Sequence, residues 1–375
     1  MSFLSTLSGK TADDRRLLRE QILTLTASLP NRESFESLAL SVFRYQAVNN
    51  AIYANYLRYL SFRPETVTDV RQIPFMPIGF FKNHIVLTGT SAAPGPESSP
   101  LLTFASSGTT GQLTTSRHIV PDPALYDTIS TRIFEQTYGP LSNFHILALL
   151  PSYLERNNSS LVYMVQQFMA RIERVQTTDN LSGFFLHNHQ ELTQRLKQLA
   201  QRPDKKQILL IGVTFGLLDW AESAADLTFL GQLDKLIVME TGGMKGRRKE
   251  LLREEVHEIL TSRLGVGAVH SEYGMTELLS QAYSKGEGVF QPSSTLRVFL
   301  RDINDPFSLY PQDSTRAGER RTGGINVIDL ANLDSCSFIE TQDLGQYVDT
   351  EGQPGAFRVI GRFDNSDVRG CNLLV

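Results

Sequence analysis

Four stretches, widely spaced along the chain, carry residue types suited to nucleotide chemistry. The first, FASSGTTGQ over 104–112, strings small hydroxyl residues and glycines together. Ser106, Ser107, Thr109 and Thr110 offer hydroxyls, and Gly108 and Gly111 leave backbone N–H groups open, the equipment that wraps phosphate oxygens. The loop lacks the Gly-Lys-Ser/Thr ending of a P-loop, and a flexible surface turn has the same composition. The second stretch is HSEYGMTEL over 270–278. Glu277 could hold a Mg²⁺ that also binds phosphate, because Mg²⁺ takes one or two protein carboxylates and completes its shell with water and phosphate. Tyr273 could stack on a purine. The plain alternative is an exposed Glu beginning a helix and a Tyr in a core. The third is ETQDLGQY over 340–347. Asp343, expected at a strand end beside a turn glycine, could accept both hydroxyls of a ribose or simply form the turn. The fourth is VIGRFDNSDVRG over 359–370, where Arg362 follows an expected strand. Its guanidinium fork could meet ribose or phosphate oxygens, or it could be a surface arginine.

The chain has two cysteines. Cys371 lies four residues from the last residue, a poor place for a core thiol and a good one for a thiol that must move. Extended chain covers at most ~3.3–3.6 Å per residue, so Cys371 could travel roughly 30 Å from Arg362. Arg362 and Arg369 would favour its thiolate, and Asp364 and Asp367 would oppose it. Cys336, inside the strand-like SCSFIET, reads as a small apolar core residue. Lys245 in ETGGMKG could touch a phosphate or an acyl acceptor, but a solvated lysine is the simpler reading.

The elements that must position these groups follow from apolar spacing. The chain has 375 residues, 41% hydrophobic and 20% charged, ordinary globular composition with room for a substantial core. The net charge of −4 and the lack of a long basic run argue against nucleic acid and anionic membranes as partners. The start is expected not to be a signal peptide, and no apolar run reaches membrane-spanning length. Two cysteines far apart suggest a reducing, cytoplasmic setting.

Helical spacing covers 13–29 and 35–60. Short apolar runs at 144–150, 207–213 and 233–240 read as buried strands. They alternate with helical stretches at 160–172, 188–202 and 246–264, the last closed by Gly265. That alternation implies a mostly parallel sheet covered on both faces. SYLER and VTFGLLDW could line a pocket for an apolar ligand, but they read more simply as apolar strand ends in a core. From about residue 290, TLRVFLRDI, GGINVIDL, SCSFIETQD and GAFRVIGR read as an antiparallel sheet or small barrel. The expected division is a helical N-terminal region over 1–100, an α/β nucleotide-binding core over 101–289, a β-rich part over 290–361, and a mobile tail over 362–375.

Taken in order, a Ser/Thr/Gly loop, Tyr-Gly-x-Thr-Glu, Thr-x-Asp and Gly-Arg-x-Asp resemble the adenylate-forming superfamily of acyl-CoA ligases, luciferases and peptide-synthetase adenylation domains. The resemblance implies that Ser106–Gly111 handles the β- and γ-phosphates of ATP. It places Tyr273 and Gly274 near the adenine and Thr241, Gly242 and Gly243 along the purine pocket. Thr276 and Glu277 would serve phosphate and magnesium, and Asp343 and Arg362 the ribose. Two departures stand out. The loop runs Gly111-Gln112-Leu113-Thr114 instead of Gly-x-Pro-Lys, and the small lysine-bearing C-terminal domain of most members is expected to be absent.

FESLALSVFRYQ, IPFMPIGFFKNHIV, SYLERNNSSLVYM and ETGGMKGRRKEL look like one branch, the acyl-protein synthetases of bacterial luminescence systems. That likeness implies activation of a fatty acid, or a related acid, as acyl-AMP. Transfer to Cys371 as a thioester and delivery to a partner such as an acyl reductase would follow. Two other readings stay open: an acid–thiol ligase that delivers the acyl group to coenzyme A or a carrier protein, and a catalytically silent nucleotide-binding scaffold. The class of acid is not written in the sequence, because apolar pocket walls discriminate weakly per methylene.

Overall fold

The computed structural model describes residues 9–26, 32–89, 101–106, 115–152, 158–175, 180–202, 206–223, 226–243, 251–311, 321–349 and 355–363. The N-terminal part forms α1 (Gly9–Leu25), α2 (Arg32–Asn49), α3 (Ala51–Tyr59), β1 (Met76–Pro77) and the short α4 (Phe80–Asn83). Next come β2 (Leu102–Ala105), β3 (Arg117–Val120), α5 (Pro123–Tyr138), β4 (Phe144–Leu149), α6 (Ser160–Val175) and β5 (Gly183–Phe184). They are followed by α7 (His189–Ala200), β6 (Gln207–Val213), α8 (Thr214–Ser223), β7 (Leu236–Thr241), α9 (Arg253–Leu264), β8 (His270–Tyr273) and β9 (Ala282–Ser284). The chain continues through β10 (Leu296–Arg301), β11 (Gly323–Asp329), β12 (Phe338–Tyr347) and β13 (Phe357–Arg362).

The stretch 35–60, one helix by its spacing, is two. Asn50 is extended and its side chain accepts the N–H of Tyr53, a cap that ends one helix and starts the next. α9 starts at Arg253, later than expected, and closes at Gly265, where φ is +68° and the amide donates to Thr261. VTFGLLDW folds mostly as α8, with Trp220 fully buried, so apolar content alone misread its period.

β4 is buried along its whole length, as is β6 from Ile208 onward. Strands of that kind need cover on both faces, which a parallel sheet with flanking helices supplies. They sit at the centre of a sheet ordered β5-β4-β6-β7-β8-β9, parallel throughout except for the β8–β9 pair. The second sheet is ordered β1-β12-β11-β10, with β13 also on β12. Its C-terminal strands are antiparallel and form an open sheet, and β1 joins in parallel, Met76 opposite Ile339. The fold is therefore mixed α/β, with a parallel sheet flanked by helices and a largely antiparallel C-terminal sheet. Buried apolar side chains run continuously from Leu18 in α1 to Phe357 in β13. No helix among the described residues is long and apolar enough to cross a membrane.

Between β11 and β12 the chain makes a buried turn over 330–337, and most of its polar groups are claimed by other elements. Arg15 of α1 grips Asp334 with two hydrogen bonds of 2.6 Å and reaches Asp122 at 3.1 Å. Asp122, which also caps α5, accepts Arg19 at 2.6 Å. Gln46 of α2 donates to the carbonyls of Asn332 and Leu333 and accepts the N–H of Ser337. Asn50 donates to the Ser335 carbonyl at 2.8 Å, and the Thr88 amide to Asp334 at 3.0 Å. Cys336 sits in this turn, ahead of β12 and not within a strand. Burial pushes its thiol up to about 12, so it behaves as an inert core residue.

Removing one partner of a buried ion pair strands the other charge and costs about 3–5 kcal/mol. Arg15→Met should lower stability by about that amount in urea unfolding, and Arg15→Met/Asp334→Leu should recover much of the loss. An unchanged midpoint for Arg15→Met would contradict the role given to this pair.

Candidate functional site

β8 ends at Tyr273, where the chain leaves the carboxyl edge of the parallel sheet, the edge at which open α/β sheets bind ligands. The Tyr273 ring packs against Phe290 and Phe357 with centroids 5.8 and 5.5 Å away. Only 7% of the residue is exposed, so the ring as placed offers no open face to a purine. Its hydroxyl donates to Asp343 Oδ2 at 2.9 Å. That bond joins the two sheets.

Asp343 lies in the middle of β12, not at a strand end, directly opposite Arg362 of β13. Arg362 Nε donates to Asp343 Oδ1 at 3.0 Å, and the arginine side chain is 69% exposed. The expected turn glycine, Gly345, is also within the strand. A Cβ there would meet Ile325 at 2.8 Å and the Arg358 carbonyl at 2.9 Å, so close packing demands glycine. Burial raises the Asp343 pKa, with Arg362 and Tyr273 pulling it back. A carboxylate has about four lone-pair directions. Tyr273 and Arg362 use two, leaving room for further donors such as hydroxyls.

Glu277 starts no helix; it is buried in the loop that follows β8. Burial raises its pKa, while a hydrogen bond with Ser116 and the charge of Arg362 lower it and Asp343 raises it. Glu277 is thus within electrostatic reach of the Asp343–Arg362 pair. Its backbone is held in place: Asn332 donates to the Glu277 carbonyl at 2.7 Å, and Asp329 accepts the amides of Leu279 and Ser280 at 2.8 and 2.9 Å. Ahead of it, the Thr276 carbonyl lies 3.0 Å from His118 Nδ1, and His118 Nε2 lies 2.8 Å from the Ser335 hydroxyl. A carbonyl can only accept, so Nδ1 carries the proton and Nε2 accepts from Ser335.

The Ser/Thr/Gly loop meets the same place at its base. Ser106 donates its amide to the Ser116 carbonyl, and Ser116 donates its amide to Ser106 Oγ, both at 3.0 Å. Ser116 in turn stands close enough to Glu277 to favour its charged form. Ser107, Gly108, Thr109, Thr110 and Gly111 lie outside the described residues, as do Lys245 and Cys371. On the neighbouring strand, Thr241 donates to Glu272 at 2.5 Å. Gly242 has φ +78° and its carbonyl accepts Thr214 at 3.2 Å, with Gly243 half-buried beside it.

Ser106, Tyr273, Gly274, Thr276, Glu277, Asp343 and Arg362 therefore gather at one edge, with Thr241–Gly243 one strand away. Ser116, His118, Asp329, Asn332 and Glu272 were missed. None belongs to a motif, and only the fold shows what each holds.

A magnesium ion fits the donor set in one respect. Among the described residues no group of three or more His, Cys, Asp or Glu could hold a metal alone. A cation at Glu277 would draw its remaining ligands from phosphate and water, as Mg²⁺ does.

No model of a known protein family matches the chain, and no curated protein matches its sequence. Among solved structures it is similar to coronafacic acid ligase from Pectobacterium brasiliense, at 14% identity and a TM-score of 0.40. A single-residue variant of that ligase gives a TM-score of 0.42 at the same identity. Both matches cover 66% of this chain and 44% of the ligase, so the chain spans less than half of that neighbour's length. A likeness this distant carries no weight on function.

Burial holds His118 neutral down to about pH 4, whereas an unfolded histidine takes its proton near ~6.5. In that window the unfolded chain binds more protons, so stability falls as pH drops, by roughly 3 kcal/mol at most. Glu272, kept protonated up to about 7 by burial, acts in the opposite sense, so the test is a difference. Between pH 7 and 4.5, His118→Gln should lose less stability than the wild type in urea unfolding. Equal losses would mean His118 is not held neutral.

Proposed function

We propose that this protein activates a carboxylic acid with ATP. The acid's carboxylate attacks the α-phosphorus, pyrophosphate leaves, and acyl-AMP forms. What carries the reading is the Glu277 carboxyl, whose charged form is favoured by Ser116 at the base of the Ser/Thr/Gly loop and by Arg362 and opposed by Asp343. Three stretches far apart in sequence meet there. In this reading the loop at Ser106–Gly111 holds the β- and γ-phosphates through hydroxyls and amides. Mg²⁺ at Glu277 offsets phosphate charge when bound. Asp343 accepts the ribose hydroxyls on its remaining lone pairs, and Arg362 fixes that carboxylate and faces solvent beside it. Orientation and charge neutralisation then supply most of the catalysis.

In the second half-reaction the Cys371 thiolate attacks the acyl carbonyl of acyl-AMP. A thioester forms and AMP leaves with the bonding electron pair. The thioester then passes to an acyl-accepting partner such as an acyl reductase or carrier protein. The acid is a fatty acid or a related one, and the setting is cytoplasmic.

Acid-dependent exchange of labelled pyrophosphate into ATP tests the first half. Glu277→Gln, Asp343→Ala and Arg362→Ala should each lower exchange, by about 10²-fold where a charge-stabilising contact is lost. Thr109→Val/Thr110→Val should lower it well below wild type. Absence of exchange across fatty and aromatic acids would refute the reading. Intact mass spectrometry tests the second half. Cys371→Ser should keep exchange yet lose hydroxylamine-sensitive acyl label, and Cys336→Ser should keep the label. Exchange without label on the wild-type protein would point to coenzyme A or a carrier protein as the acceptor.

A further inference from the structure

Glu272 belongs to none of the groups assigned above, yet it stands between two of them. It pairs with Thr241 of β7 on one side and with Tyr283 of β9 on the other. Only 7% of the residue is exposed. Its Oε2 accepts the Thr241 hydroxyl at 2.5 Å. Its Oε1 lies 2.3 Å from where a Cβ on residue 274 would stand. Gly274 is not among the positive-φ glycines, so a side chain there would meet the carboxyl and not a disfavoured backbone angle. One carboxyl thus abuts both the Thr241–Gly243 loop and the Tyr273–Glu277 loop.

We propose that Glu272 is a positioning residue: its carboxyl is a strut that sets the separation of these two loops, and with it the fit of the bound nucleotide. The inference rests on the nucleotide site proposed above. Two observations give it a chemical signature. The groups around the carboxyl are Thr241 and Glu240 from β7, Tyr126 from α5 and Tyr283 from β9. Among the described residues no cation stands with them, and Arg253 and His257 of α9 face Glu240 instead. The Tyr283 hydroxyl has no hydrogen-bond partner. Burial therefore favours the neutral acid, up to about pH 7. Ionisation above that point places a second negative charge beside Glu240, at the edge of the proposed nucleotide site, so affinity for an anionic nucleotide falls as pH rises through 7.

The test is the Kd of the full-length protein for ATP with Mg²⁺, measured by calorimetry at pH 6 and pH 8, with folding checked by circular dichroism. Glu272→Ala should weaken binding about tenfold at pH 6, equivalent to about 1.4 kcal/mol. Glu272→Gln, which keeps shape and acceptor, should restore wild-type affinity at pH 6. It should also lose the several-fold weakening that the wild type shows at pH 8. Gly274→Ala should weaken binding by pushing the carboxyl aside, and Gly274→Ala/Glu272→Ala should bind better than Gly274→Ala alone. If wild type binds ATP and folded Glu272→Ala binds equally well, the strut is wrong and the site stands. If wild type does not bind ATP, both fall.

Discussion

The burial of the turn between β11 and β12 governs the rest of the structure. A turn that leaves the surface must satisfy its backbone and side-chain polar groups within the protein. Here the partners come from α1, α2, the segment around Thr88, β3 and the loop after β8. At its entrance Asp329 is fully buried, and burial raises its pKa. It nevertheless accepts the amides of Leu279, Ser280 and Ala331 and the Ser280 hydroxyl. Those bonds fix the backbone that carries Glu277. The N-terminal helices thus hold the candidate site in shape through the turn.

The site itself is a seam. Tyr273 and Glu277 come from the parallel sheet, Asp343 and Arg362 from the second one. The hydroxyl of Tyr273 crosses between them, and three aromatic rings, Tyr273, Phe290 and Phe357, pack around the crossing. A seam between two rigid layers gives a ligand groups of different origin without asking one loop to supply them all. It also makes the geometry sensitive to any relative shift of the sheets, since the crossing bond is buried.

Much of the fold was legible because burial writes itself into composition. The runs at 144–150 and 207–213 have no polar alternation, and both are strands covered on two faces. β12 alternates buried and half-buried positions from Ile339 to Tyr347, the signature of a sheet with one face on the core. Other features left a weaker trace. The parallel pairing of Met76 with Ile339 belongs to a strand of two residues, one of them Pro77, too short for any period to register. Asp343 was expected at a turn because glycine follows nearby, but that glycine serves close packing against Ile325 and Arg358. Of the candidate site, the residue types were visible in the sequence. Their supports were not, because His118, Asp329 and Asn332 act through hydrogen bonds to groups far away in sequence.

The contact between Arg15 and Asp334 joins residues 319 apart in sequence. During synthesis at ~5–20 residues per second, Arg15 waits on the order of 20–60 s for its partner to emerge. Over that interval the apolar stripes of α1 and α2 lack the turn that later covers them, and β1 lacks the strand it joins. Such a newborn chain holds exposed sticky surface for far longer than a domain built from local contacts would. The order of synthesis therefore leaves the N-terminal helices without part of their cover until the C-terminal sheet emerges.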